Sequence, residues 1–187
     1  MRSLIIRPIQ AGFTLVELLI VVIIIAILAA IVVPQFSSAT KDAQEAALDS
    51  NLAGMRSAIE LYRVQHSNAY PGTVSGTAPT GCTTAGATTT SQVLIDQMIL
   101  YSATNGYTCT ASDSNYRFGP YYRKDRGFPS DPITLKGSTA TDITIVTAGT
   151  ALVATVTTGG WLYDSTSGQI VMNSSANDSK GTAYYKH

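Results

Sequence analysis

The sequence predicts an α+β chain: one long N-terminal helix packed on a C-terminal antiparallel β-sheet. Three observations carry that prediction. Every residue from Leu18 to Val33 is apolar. Beyond it, Leu48, Leu52, Met55, Ile59 and Tyr62 recur at alternating four- and three-residue spacing, which is one face of a helix. The C-terminal third then carries short runs of strand-forming residues broken by turn residues.

The apolar segment comes first. Residues 1–12 hold Arg2 and Arg7, no acidic residue and a closing glycine, after which the chain reads FTLVELLIVVIIIAILAAIVVPQF. Counted from Phe13 the run reaches about twenty residues, the length of a helix that crosses a bilayer core. The upstream arginines place the N-terminus in the cytoplasm and the remaining chain across the membrane. An ordinary cleaved secretory signal has a shorter apolar core followed by a small-x-small site, whereas this run passes into Pro34 and an amphipathic helix. A plain anchor helix leaves Glu17 unexplained, because a carboxylate within an apolar span costs about 2.5 kcal/mol or more and marks a function or a partner.

A helix continuous from about Thr14 to His66 would be roughly 80 Å long. Pro34 removes one backbone hydrogen bond and is expected to kink or locally melt it. Arg56 and Glu60 stand four apart, a spacing that allows weak pairing. Gly54 reads equally as a weak point of the helix or as a place of close packing.

Asn68 to Gly72 supplies the turn residues that end the helix. A Thr/Ser/Gly-rich loop over residues 73–90 follows, and then a short apolar helix near Gln92 to Tyr101, with Leu94, Met98 and Tyr101 on one side. Strands are expected over 116–123, 142–147 and 151–157, the last two joined as a hairpin through Ala148, Gly149 and Thr150. A second hairpin is expected between 160–164 and 169–172, turning at Ser165 to Gly168. Tyr121 and Tyr122 read as half-buried sheet residues more readily than as a binding platform.

The 187 residues allow one compact domain plus an extra element. With a formal net charge of zero and 13% charged residues, the chain has no electrostatic footprint for nucleic acid or acidic substrates. Its two cysteines, Cys82 and Cys109, lie in the polar half. In an exported domain they suit a disulfide, worth about 3.5 kcal/mol from loop closure, against the alternative of two free thiols. Neither His66 nor His187 stands at ligand spacing from them, so no metal site is expected. No nucleophile motif flanks either histidine and no phosphate-cradling loop is present, so neither a catalytic site nor a cofactor is expected.

The segment Gly12-Phe13-Thr14-Leu15-Val16-Glu17, with the apolar helix and Pro34 behind it, resembles the class III signal of type IV pilins and type II secretion pseudopilins. The resemblance is strong over residues 11–36 and weaker beyond. It implies a leader peptide over 1–12, a transmembrane or filament-core helix over 13–36, and an amphipathic helix with a pilin-like globular head over 37–187. It further implies cleavage after Gly12 by a prepilin peptidase, N-methylation of Phe13, and contact of Glu17 with the N-terminal amine of a neighbouring subunit. Such a chain would form a helical homo-oligomer with pilus or secretion assembly machinery. It would be stored in the inner membrane and then placed in an extracellular pilus or a periplasmic pseudopilus. Segments 117–124, 128–132 and 159–164 resemble pseudopilin-like heads. Major pseudopilins hold calcium in a C-terminal acidic loop. Here Asp164, Asn173, Asn177 and Asp178 carry oxygens but lack EF-hand spacing, and the favoured reading is a solvated turn.

Overall fold

The computed structural model describes residues 13–82, 90–123, 125 and 127–187. The chain forms two units, Met1–Lys41 and Asp42–His187. Helix α1 (Leu15–Gln65) supplies the described part of the first unit and one layer of the second. In the first unit its side chains are exposed all round, and Pro34 lies inside the helix. Just past the proline, Ser38 donates to the carbonyl of Gln35 and Thr40 to that of Phe36.

In the second unit the predicted stripe is the buried one. Leu48, Leu52, Met55, Ile59 and Tyr62 are all 2% exposed or less, each contributing about 1.5–3 kcal/mol relative to an exposed side chain. The helix ends in a turn where Ser67 and Asn68 take positive φ. Helix α2 (Thr90–Ile99) adds Leu94 and Met98 to the same core. It ends before Tyr101, which instead opens strand β1 (Tyr101–Ser102), paired with β2 (Thr108–Cys109). Buried Gln97 ties these parts together: its carboxamide accepts from Gly72 N–H and donates to the carbonyls of Thr73 and Gly106.

A three-stranded sheet completes the core in the order β3 (Ile143–Val146), β4 (Trp161–Asp164), β5 (Ile170–Met172). The hairpin of β4 and β5 is the expected one, with Trp161 opposite Met172 and Tyr163 opposite Ile170. The pairing of β3 differs from expectation. It runs parallel to β4, with Ile143 beside Trp161 and Ile145 beside Tyr163, and residues 151–157 form no strand. The physical reason is apolar content: pairing with β4 gathers two isoleucines, a tryptophan and a tyrosine on the core side, whereas the 151–157 segment offers mainly alanine, valine and threonine. A parallel partner requires a crossover of a dozen or more residues, and the chain between Val146 and Trp161 provides it. Gly160, at φ +79°, lets β4 enter beside β3, because a Cβ there would stand 2.1 Å from the carbonyl oxygen of Asp142.

Nor do residues 116–123 form a strand; a single bridge joins Phe118 to Ser102. Pro120 has no N–H for a ladder, and the chain turns so that Tyr121 and Tyr122 N–H both donate to the Met98 carbonyl near the end of α2. The two tyrosines are half-buried, as expected, but outside any sheet. Arg56 does not pair with Glu60. It donates to the main-chain oxygens of Ile170 and His187, and Glu60 pairs with Arg63 at 3.1 Å. Gly54 faces Tyr122, whose hydroxyl would lie 3.7 Å from a Cβ, the close-packing reading.

Candidate assembly segment

The exposed start of α1 is the most unusual surface of the chain. Phe13 is 80% exposed, and the valines, leucines and isoleucines from Leu15 to Val33 are each at least 41% exposed. Water tolerates no such contiguous surface, so it marks contact with lipid or with other protein. The helix is long and apolar enough to cross a membrane by length and composition.

Sequence chemistry fixes where this helix begins. Thr14 precedes the first helical residue and Glu17 stands three further on, the spacing of a capping box. The Glu17 carboxylate accepts from Thr14 N–H at 2.9 Å and from the Thr14 hydroxyl at 2.8 Å, while Glu17 N–H donates to Thr14 Oγ1 at 3.2 Å. Thr14 is thus a first partner for Glu17 that sequence reading passed over, although the T-x-x-E pattern signals it. A negative side chain in the first turn also suits the positive end of the helix dipole. Both Thr14 bonds to the carboxylate go to Oε2, and the other carboxylate oxygen, Oε1, carries neither.

Gly12, Arg2 and Arg7 lie outside the described residues, as do Lys124 and residues 83–89 of the Thr/Ser/Gly-rich loop. Cys82 and Cys109 are joined in a disulfide with Cα atoms 5.8 Å apart, beside a small cluster of Ala103 and Tyr116. The bond ties the loop to strand β2, consistent with an exported domain.

The solvated-turn reading fails for Asp164, which is fully buried. Its carboxylate accepts from the N–H groups of Gly149 and Thr166 and from the hydroxyl of Ser167, closing the loop after β3 onto the turn after β4. Asn173 donates to Thr144, and Asp178 accepts from the N–H groups of Lys180 and Thr182. Among the described residues no group of three or more His, Cys, Asp or Glu is placed to hold a metal ion.

Comparison with known proteins bears on the same segment. The family model described as the prokaryotic N-terminal methylation motif matches residues 7–33. The chain is 42% identical over 80 residues to the type IV narrow pilus major component PilA5 of Thermus thermophilus, covering 43% of this chain and 69% of that protein. It is 39% identical over 67 residues to the type II secretion system core protein G of Pseudomonas aeruginosa, covering 36% of this chain. It spans 46% of the length of that relative. The type IV major fimbrial protein FimA of Dichelobacter nodosus is 48% identical over 54 residues, 29% of this chain and 35% of that one. No solved structure matches the chain. With a methylation motif at its start, one apolar helix behind it and an α+β head, the chain belongs to the family of type IV pilins and type II secretion pseudopilins.

Proposed function

We propose that the chain is a structural subunit of a type IV pilus-like filament, assembled from the inner membrane after a prepilin peptidase cuts between Gly12 and Phe13. Phe13 is then N-methylated, and residues 1–12 are a discarded leader. The observation that carries this reading is the wholly exposed apolar surface of residues 13–33, joined to a methylation motif over the same stretch. A helix that is apolar on every face has the same chemistry for lipid and for copies of itself. It is stored in the membrane and later packed in a filament core without refolding, with outside machinery supplying the work. The leader, the core helix over 13–36 and the head over 37–187 then have separate tasks. Pro34 is proposed as the place where the packed helix kinks.

A second reading, a pseudopilin acting in a periplasmic pseudopilus, is favoured by the similarity to the core protein G of type II secretion. A membrane-anchored head that never polymerises belongs to another class. N-terminal sequencing of the mature protein, followed by shearing of cells and imaging of the released material, tests all three. A mature chain beginning at Phe13 and sheared surface filaments containing it support the pilus. A Phe13 terminus with filaments confined to the periplasm supports the pseudopilus. A monomer that stays in the membrane, or a terminus at Met1, removes the filament reading.

A further inference from the structure

Residues 150–158, TALVATVTT, have the composition of a strand and the pairing of none. Their valines and threonines favour a pleated chain. Yet within this stretch, among the described residues, only the Val156 carbonyl is engaged in a hydrogen bond, accepting from Ser175 N–H at 2.7 Å and from its hydroxyl at 3.1 Å. The other main-chain donors and acceptors must be met by water or by another chain.

The stretch lies on the face of the sheet opposite α1. Trp161 and Tyr163 of β4 join the core with Ile143 and Ile145 of β3, so by alternation Leu162 and Val146 point the other way. There they line one groove with Leu152, Val153 and Val156. Ala154 is 4% and Leu162 6% exposed, whereas Val153 is 59% and Val156 40% exposed. Ala154 therefore seats the stretch on the sheet, and Val153 beside it faces out.

The partner this stretch suits is the same stretch of a second copy. From Ile143 to Tyr163 there is no charged residue and no proline, so the devices that stop one strand edge from pairing with another are absent. Two copies laid antiparallel oppose no like charges, and both bring the unpaired main chain that strand addition uses. A pair this short buries less than the roughly 1,200 Å² of a stable interface, so it holds only where copies stand in rows and each contact is multiplied. We propose that residues 150–158 are a latent edge strand that pairs antiparallel with the same residues of a copy in a neighbouring filament, binding filaments side by side. The proposal rests on the filament reading: with α1 packed inside, the opposite face of the sheet is turned outward.

The test images sheared filaments of wild type and of variants at the exposed Val153, and measures filament yield beside the fraction lying in bundles. Wild-type and Val153→Thr filaments are expected in bundles. Val153→Lys, which sets like charges near one another across the pair, is expected to keep the wild-type yield while the bundled fraction falls about fivefold or more. Val153→Glu is expected to do the same. Mixing Val153→Lys filaments with Val153→Glu filaments is expected to restore bundles, because only contact between copies of this stretch brings the two charges together. Single wild-type filaments, bundles undiminished in Val153→Lys, or charged mixtures that stay apart overturn the proposal and leave the filament reading intact. An absence of wild-type filaments removes both.

Discussion

The imidazole of His66 lies flat on the ring of Tyr62, centroids 3.7 Å apart and planes 3° from parallel. Its Nδ1 meets the Tyr62 carbonyl at 2.9 Å and its Nε2 meets the Ser102 hydroxyl at 3.0 Å. A carbonyl only accepts, so Nδ1 carries the proton and Nε2 receives the serine hydrogen. Burial pushes the imidazole below its ordinary value, outweighing the opposing pull of the Tyr62 and Ala103 main chain.

Acid should therefore weaken the head. The folded state releases the His66 proton more readily than the unfolded chain, so its contribution is fully present above the unfolded value near 6.5 and is lost as pH falls toward the folded value. The melting temperature of wild type is expected to drop between pH 7 and pH 5, and that of His66→Gln to drop less. Calorimetry at both pH values checks this, and equal drops would count against it.

Asp164 makes a different prediction. Burial pushes its carboxyl up, but the Thr166 N–H, Ser167 hydroxyl and Gly149 N–H together bring it below the ordinary value. That depressed value contributes stability above the unfolded pKa, near 3.9, which is lost as pH falls through the folded one. At neutral pH, Asp164→Asn turns an amide N–H₂ toward donors and is expected to cost about 1–3 kcal/mol. Urea unfolding measures it; a loss within experimental error would show the loop closure to be unimportant.

Glu17 tests the assembly segment. With one carboxylate oxygen held by Thr14, the other is free to take the amine that cleavage would create at Phe13 of an adjacent copy. In the proposed filament, a subunit docked one step wrong would leave both charges unpaired in a low-dielectric core, at a cost of several kcal/mol. Glu17→Ala is expected to insert and be cleaved normally yet give few filaments, with Glu17→Asp intermediate. Sheared-filament yield beside membrane fractionation checks both steps, and a wild-type yield from Glu17→Ala as sole subunit would exclude this role.

Much of the molecule is legible from its order of residues, because the deciding signals are local. The apolar run from Leu18 to Val33, the stripe from Leu48 to Tyr62, the turn from Asn68 to Gly72 and the hairpin around Ser165 to Gly168 each depend on neighbours within a few positions, where periodicity and turn chemistry act. The Cys82–Cys109 bond was readable from count and compartment alone. Tertiary structure decided what rests on competition between distant segments. Ile143 and Ile145 chose Trp161 and Tyr163 over the nearer 151–157 stretch, since the larger side chains bury more apolar surface. Arg56 left Glu60 for main-chain oxygens far along the chain, Asp164 went from an apparent surface turn to a fully satisfied buried carboxylate, and His187 met Asp49 across 138 positions. None of these has a local signature, because a hydrogen-bond partner or a packing partner outside the reach of one helix turn or one hairpin is selected only when the whole core closes.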